Sequence, residues 1–181
     1  EARAGMLTGS LLAGISFSHS DVASVHCLAE ALGGLYDVPH GVCNAIALPI
    51  VMEYNVDYAR EKYARLAEAL GAARAPGVSK QGSDAPEAAL QGSDSLGAAR
   101  APGAPGKSKG TGAPDKAEAA VEKVRQLVSE AGLPPFASLG VDEKDFEPLA
   151  EMAERNGSNA SNPRPMKKAD YLELLRRLSK R

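Results

Sequence analysis

VASVHCLAEALGGLYDVPHGVCNAIALPIVMEYN, residues 22–55, decides how the rest of the chain is read. In its first half, Val25, Leu28, Ala29 and Leu32 recur at helical spacing and define an apolar stripe. His26 and Glu30, four residues apart, lie on an adjacent face of the same helix. Gly33-Gly34 is a stop signal for that helix. Pro39 suits the first position of another, with His40 directly after it. The third helix, over about 39–54, carries Ile46, Leu48, Ile50, Val51 and Met52, and Pro49 inside it predicts a kink. Two helices joined by so short a turn can aim His26 and His40 at one point. Imidazole suits iron(II) or zinc(II). The spacing of two histidines leaves open a metal pair or two histidines without that role.

Outward from this stretch the chain reads as helical. Residues 1–18 predict a buried helix, because Met6, Leu7, Leu11, Leu12, Ile15 and Phe17 leave few polar faces. Ser18-His19-Ser20-Asp21 offers capping oxygens for the helix over about 21–33. His19 reads as an exposed turn residue. A fourth helix is expected over about 57–70, capped by Asn55 or Asp57. Others are expected from Asp115 to about 131, from Asp142 to Arg155, and from Lys167 to Ser179, with a loop from Asn156 to Pro165. Cys27 and Cys43 read as small apolar packing groups. Asn44 is expected to bond a neighbouring loop, and Tyr36 and Phe17 are candidates to line a cleft. No alternating strand-like run of useful length is present, so the fold class is all-α, with six or seven helices.

Residues 72–114 differ from both flanks. GAARAPG occurs at 71–77 and 97–103, and QGSD at 81–84 and 91–94. Gly, Pro, Ala and Ser dominate, which predicts a low-complexity, disordered insert with too little apolar surface to offset the entropy of ordering. The Gly-x-Gly at 110–112 lacks both a third glycine and a preceding strand, so it is a poor phosphate loop. The expected organisation is therefore 1–71 and 115–181 as parts of one helical domain, with 72–114 between them.

Bulk properties exclude some functions. Aromatic residues make up only 4% of the 181, so the core is built from aliphatic side chains. A net charge of −2 argues against a nucleic-acid surface. The basic cluster Arg176, Arg177, Lys180 and Arg181 reads as a complement to a helix C-terminus. Two cysteines are too few for a disulfide framework. No signal peptide and no membrane-spanning run are evident, which makes a soluble cytoplasmic protein the expectation. The Asn156 and Asn159 sequons then read as chance matches.

VHCLAEALGGLYDVPHGVCNAIALPIVMEYN, residues 25–55, closely resembles the signature of iron-containing (group III) alcohol dehydrogenases. MLTGSLLAGISFS (6–18) and NPRPMKKADYLELLRR (162–177) are similar to the family's flanking segments. The resemblance covers about 1–71 and 115–181. It implies the all-helical C-terminal domain of the iron-containing alcohol dehydrogenase and dehydroquinate synthase-like fold. It also implies interconversion of alcohols with aldehydes or ketones, using NAD(P) and one divalent metal, iron or zinc.

In the family one Asp and three His hold the metal. His26 and His40 match the last two. The metal acts on the substrate oxygen as a Lewis acid. The Asp-x-x-x-His that supplies the other ligands is not in this sequence, and neither is a Gly-rich nucleotide loop on a strand. What the resemblance implies is thus the helical half of the family without its nucleotide-binding half. Where the family often has a proton-relay histidine, this chain has Glu30, a candidate relay if burial raised its pKa. Small alcohols or aldehydes are the expected substrates, and self-association as a homo-oligomer stays open. Two alternatives remain: a helical interaction module without catalysis, and a stand-alone metal site of His26, Glu30 and His40.

Overall fold

A computed structural model describes residues 1–72 and 116–180 of the chain. The described residues form seven α-helices with short 3-10 turns between them and no strand. The helices are α1 (Ala2–Ser20), α2 (Ala23–Tyr36), α3 (His40–Asn55), α4 (Arg60–Ala69), α5 (Lys116–Glu130), α6 (Phe146–Arg155) and α7 (Lys168–Leu178). The fold class read from the sequence is the one observed. The expected low-complexity insert and its Gly-x-Gly lie almost wholly outside the described residues.

The stripe read in residues 22–55 is the centre of the core. Leu28, Ala29 and Leu32 of α2 are buried, with Val25 partly so. They meet Cys43, Ala47, Ile50 and Val51 of α3, Leu149 and Ala150 of α6, and Tyr171, Leu174 and Leu175 of α7. A smaller cluster joins Met52 of α3 to Val121 and Val124 of α5, with Tyr63, Leu66 and Leu70 packed beside them. α5 thus packs on both α3 and α4, while α2 packs on α3 and α6. α3 runs through Pro49 without a break in its helical assignment, and Pro49 is itself buried. A buried proline ring adds apolar contact at a position whose lost N–H leaves only one helical bond unmade.

Several boundaries differ from the sequence-based expectation. α2 does not stop at Gly33-Gly34 but continues to Tyr36, where Asp37 takes the left-handed conformation at φ 52° and donates its N–H to the Gly33 carbonyl at 3.0 Å. Aspartate tolerates that conformation better than most residues. Gly33 serves a different purpose: a Cβ there would lie 3.3 Å from the Val38 carbonyl oxygen, so its small size lets the returning chain pass close. α4 begins at Arg60 after a 3-10 turn (Val56–Tyr58), and neither Asn55 nor Asp57 caps it; Asp57 instead pairs with Arg60 at 2.6 Å. α6 begins at Phe146, after a 3-10 turn at Glu143–Asp145. The expected loop after Arg155 contains a 3-10 turn, Gly157–Ser161.

The largest departure is α1. It was expected to be buried, yet none of its residues is, and Met6 is 76% exposed, Leu7 73% and Leu11 64%. The other described helices bury most of their apolar side chains against one another, with Leu35, Leu127 and Met152 as exposed exceptions. α1 is apolar on nearly all sides, so a single neighbour would not cover it. No helix among the described residues is long and apolar enough to cross a membrane.

Candidate metal centre

The turn after α2 brings two imidazoles together. His26 lies in the first turn of α2, and His40 is the first residue of α3. Their ring nitrogens, Nδ1 of His26 and Nε2 of His40, are 3.0 Å apart, with ring centroids 5.0 Å apart and planes inclined at 52°. The connecting residues explain the approach. Left-handed Asp37 turns the chain, and Pro39, expected in the first helical position, instead precedes α3 as its cap residue with φ −54° and ψ 128°, so that His40 opens the helix.

Asn44 belongs to this centre, contrary to the expected bond to a neighbouring loop. One helical turn after His40, its Nδ2 lies 2.8 Å from His40 Nε2, 3.3 Å from the His40 carbonyl and 3.5 Å from His26 Nδ1. Its Oδ1 is buried and has no hydrogen-bond partner. The spacing of four residues from His40 was the sequence signal for this contact.

Burial pulls the His26 pKa below the ordinary histidine value, and the neighbouring His40 pulls it further. The Glu30 and Asp21 carboxylates oppose the shift more weakly. The net effect favours neutral imidazole, the form with a lone pair available to a metal. Burial raises both the Cys27 and the Cys43 thiol, which keeps them protonated and matches their expected role as apolar packing groups.

Glu30 does not join the pair. It is exposed, and the Asn156 side chain donates to its Oε2 at 2.5 Å. Among the described residues no cluster of three or more His, Cys, Asp and Glu side chains is able to hold a metal. His26, Glu30 and His40 therefore do not form a stand-alone site in this arrangement. The two imidazoles fit a divalent metal in donor chemistry, and by themselves they supply half of a four-coordinate shell.

A polar clamp behind α2 was not anticipated. Asp21, expected to cap α2, accepts instead from the Ser158 hydroxyl at 2.9 Å and the Ser161 hydroxyl at 2.6 Å. Asn159 Oδ1 accepts from Ser24 Oγ at 3.1 Å, Tyr171 OH at 3.0 Å and the Met166 N–H at 3.3 Å. Its Nδ2 donates to the Met166 carbonyl at 2.8 Å and to the Glu154 carbonyl at 3.2 Å. Buried Asn162 and Asn55 exchange side-chain hydrogen bonds at 2.8 and 2.9 Å. This turn fixes the end of α2 that carries His26. Nothing in local sequence pairs residues 21–24 with 158–161, because the contact is purely tertiary.

The two remaining cleft candidates are placed elsewhere. Tyr36 donates to Asp145 Oδ2 at 2.5 Å and accepts from the Asp142 N–H at 3.0 Å, joining α2 to the turn before α6. Phe17 sits half exposed on α1, and His19 is exposed near the end of the same helix.

Known proteins share this arrangement of sequence and fold. The model of the Fe-containing alcohol dehydrogenase family, C-terminal, matches residues 1–101. The chain is 34% identical over 177 residues to a 1,3-propanediol dehydrogenase of Citrobacter freundii, covering 97% of this chain and 37% of that protein. It is 32% identical over 170 residues to a lactaldehyde reductase of Escherichia coli, covering 93% of this chain and 36% of that one. A crystal structure of a 1,3-propanediol oxidoreductase superposes with a TM-score of 0.69 at 34% identity, over 93% of this chain and 36% of that one. The chain thus spans a little over a third of the length of these relatives.

Proposed function

This chain belongs to the iron-containing alcohol dehydrogenase family, matching its C-terminal helical part, and on that premise we propose that it is the metal-site portion of an NAD(P)-dependent alcohol–aldehyde oxidoreductase. The observation that carries the reading is the approach of His26 Nδ1 to His40 Nε2 at 3.0 Å, the two residues that the resemblance sets at the family's ligand positions.

His26 and His40 would hold the divalent metal, iron or zinc. When bound, it supplies Lewis acidity toward a substrate oxygen. The chain's own residues do the remaining work. Low basicity keeps His26 a neutral donor, and the turn between α2 and α3 holds the two rings at one point. The clamp at 158–161 keeps α2 from rotating His26 away. Glu30, one turn beyond His26, is exposed rather than buried as the relay reading required, and Asn156 donates to its carboxylate, so any proton it carries passes at the solvent edge of the centre. Small alcohols and aldehydes are the proposed substrates, in keeping with a 1,3-propanediol dehydrogenase and a lactaldehyde reductase among the relatives. NAD(P) is the proposed hydride partner. Two free, buried cysteines suit a reducing compartment, which supports the cytoplasm as the site of action.

The test is metal content of this chain, together with NAD(P)-linked oxidation of short alcohols by the chain joined to a nucleotide-binding half of the family, each measured before and after His40→Ala. Loss of metal and of turnover in the variant is the expected result. Unchanged activity in the variant, with no divalent metal in either protein, would overturn the reading.

A further inference from the structure

We propose that residues 21–23 form a strained, latched joint between α1 and α2, on which α1 pivots as an arm, with the Asp21 carboxylate as the latch. The proposal stands on backbone geometry and hydrogen bonds and does not depend on the metal-pair reading above.

Three described residues other than glycine have a positive φ, and two of them, Asp21 and Ala23, lie in this joint. Asp37, the third, is an ordinary left-handed aspartate at φ 52° and ψ 29°. Asp21 differs: φ 64° with ψ 177° is a combination that essentially only glycine adopts. Ala23 follows at φ 58°, where its Cβ crowds the backbone and its side chain has no polar group to compensate. Strain is thus concentrated at one point of the chain. A backbone persists in such conformations only where its surroundings hold it there.

Packing does not hold α1. None of its residues is buried, and it takes part in none of the extended pairings that join the other six helices. Asp21 supplies the hold instead. Its Oδ1 accepts from the Val22 N–H at 2.8 Å and the Ser158 hydroxyl at 2.9 Å, and its Oδ2 from the Ser161 hydroxyl at 2.6 Å. On the α2 side, buried Ser24 bonds Asn159 of the same turn, so the joint is anchored at one end and free at the other. Both serine bonds are exposed, and water competes there for donor and acceptor, so each contributes less than a buried bond to a charged group. Backbone strain has no such relief from water. Latch and strain are therefore of similar size, the condition for two orientations of one arm. Release returns Asp21 and Ala23 to negative φ and turns the apolar surface of α1, from Met6 to Phe17, in a new direction.

Spin labels at Ser10→Cys on α1 and Glu173→Cys on α7, in the full 181-residue protein, read the arm by double electron–electron resonance. Labels at Glu61→Cys and Glu173→Cys read the body. The native Cys27 and Cys43 are buried, and protein without introduced cysteines gives the background. Ser158→Ala with Ser161→Ala is expected to move most of the α1 distances away from the wild-type values and to leave the body distance unchanged. Adding Ala23→Gly, which removes the crowded Cβ, is expected to return them. Alone, Ala23→Gly is expected to raise the thermal midpoint by about 2–5 °C. Wild-type distances retained in the serine variant would overturn the latch and the proposal with it. So would a body distance that moves as well, displaced α1 distances that Ala23→Gly fails to return, or an Ala23→Gly midpoint at or below that of the wild type. Should the serine variant fail to fold, the Ala23→Gly midpoint decides alone.

Discussion

His26 sits where several influences on one proton meet. Burial and the adjacent His40 lower its pKa below the ordinary 6.5, against weaker opposition from Glu30 and Asp21. The unfolded chain therefore binds a proton at higher pH than the folded one. Stability tracks the difference in protons bound, so it rises with pH wherever the unfolded chain holds more of them. For His26 this means stability falls as pH drops below about 6.5 and levels off once the lower folded value is passed. Urea midpoints across that window should show the slope, and His26→Gln should flatten it. Asn159 makes a different prediction. Its side chain bonds Ser24, Tyr171, both polar backbone groups of Met166 and the Glu154 carbonyl. Asn159→Ala leaves several of these without partners and is expected to cost about 2–4 kcal/mol in chemical denaturation. A loss below the ordinary surface effect would show that the turn carries little of the fold. Single residues were legible where local spacing controls them: the approach of His26 and His40 from the short turn between their helices, and the packing of Cys27 and Cys43 from their apolar setting. Asn159 was not, because its partners lie as far as 135 residues away.

Helices with one apolar stripe were read correctly because burial on one face imposes a 3.6-residue repeat. Their ends were harder to place. Asp37 does what glycine was expected to do, and Gly33 is required by a close chain passage rather than by a stop. α1 shows the other weakness of such reading. Apolar composition signals that a helix needs partners but does not say where they come from. Met6, Leu7, Leu11, Leu12, Ile15 and Phe17 are all at least half exposed. A helix this apolar should bind a hydrophobic dye and promote association. Leu11→Lys with Ile15→Lys is expected to reduce both dye fluorescence and sedimentation size, and unchanged values would assign the association to another surface. Glu53 of α3 illustrates how elements are tied together, since its carboxylate bonds Arg125 of α5 and Arg177 of α7. Arg177, read as a complement to a helix end, is thus also a cross-helix partner. Glu53→Ala removes both cross-helix ion pairs while Arg125 keeps Glu122, and thermal unfolding should show a loss of about 1 kcal/mol. A midpoint unchanged from wild type would mean that the pairs to Glu53 contribute nothing to stability.

The molecule joins segments far apart in sequence into one core. α5 packs on α3 and α4, and α6 and α7 close the core around α2. That joining is what allows residues 158–161 to brace the helix that carries His26. All-α architecture and family membership were both evident in the sequence, the first from helical periodicity and the second from residues 25–55. The polar clamp and the position of Asn44 came only with the folded chain. Their geometry depends on how α2, α3 and α6 pack. The central claim is that one divalent metal is held by His26 and His40. Extended X-ray absorption at the zinc edge of the zinc-loaded protein tests it most directly. The account predicts imidazole scattering from two histidines per zinc, reduced to one in His40→Ala. A zinc shell with no imidazole contribution, or one that His40→Ala leaves unchanged, would contradict it.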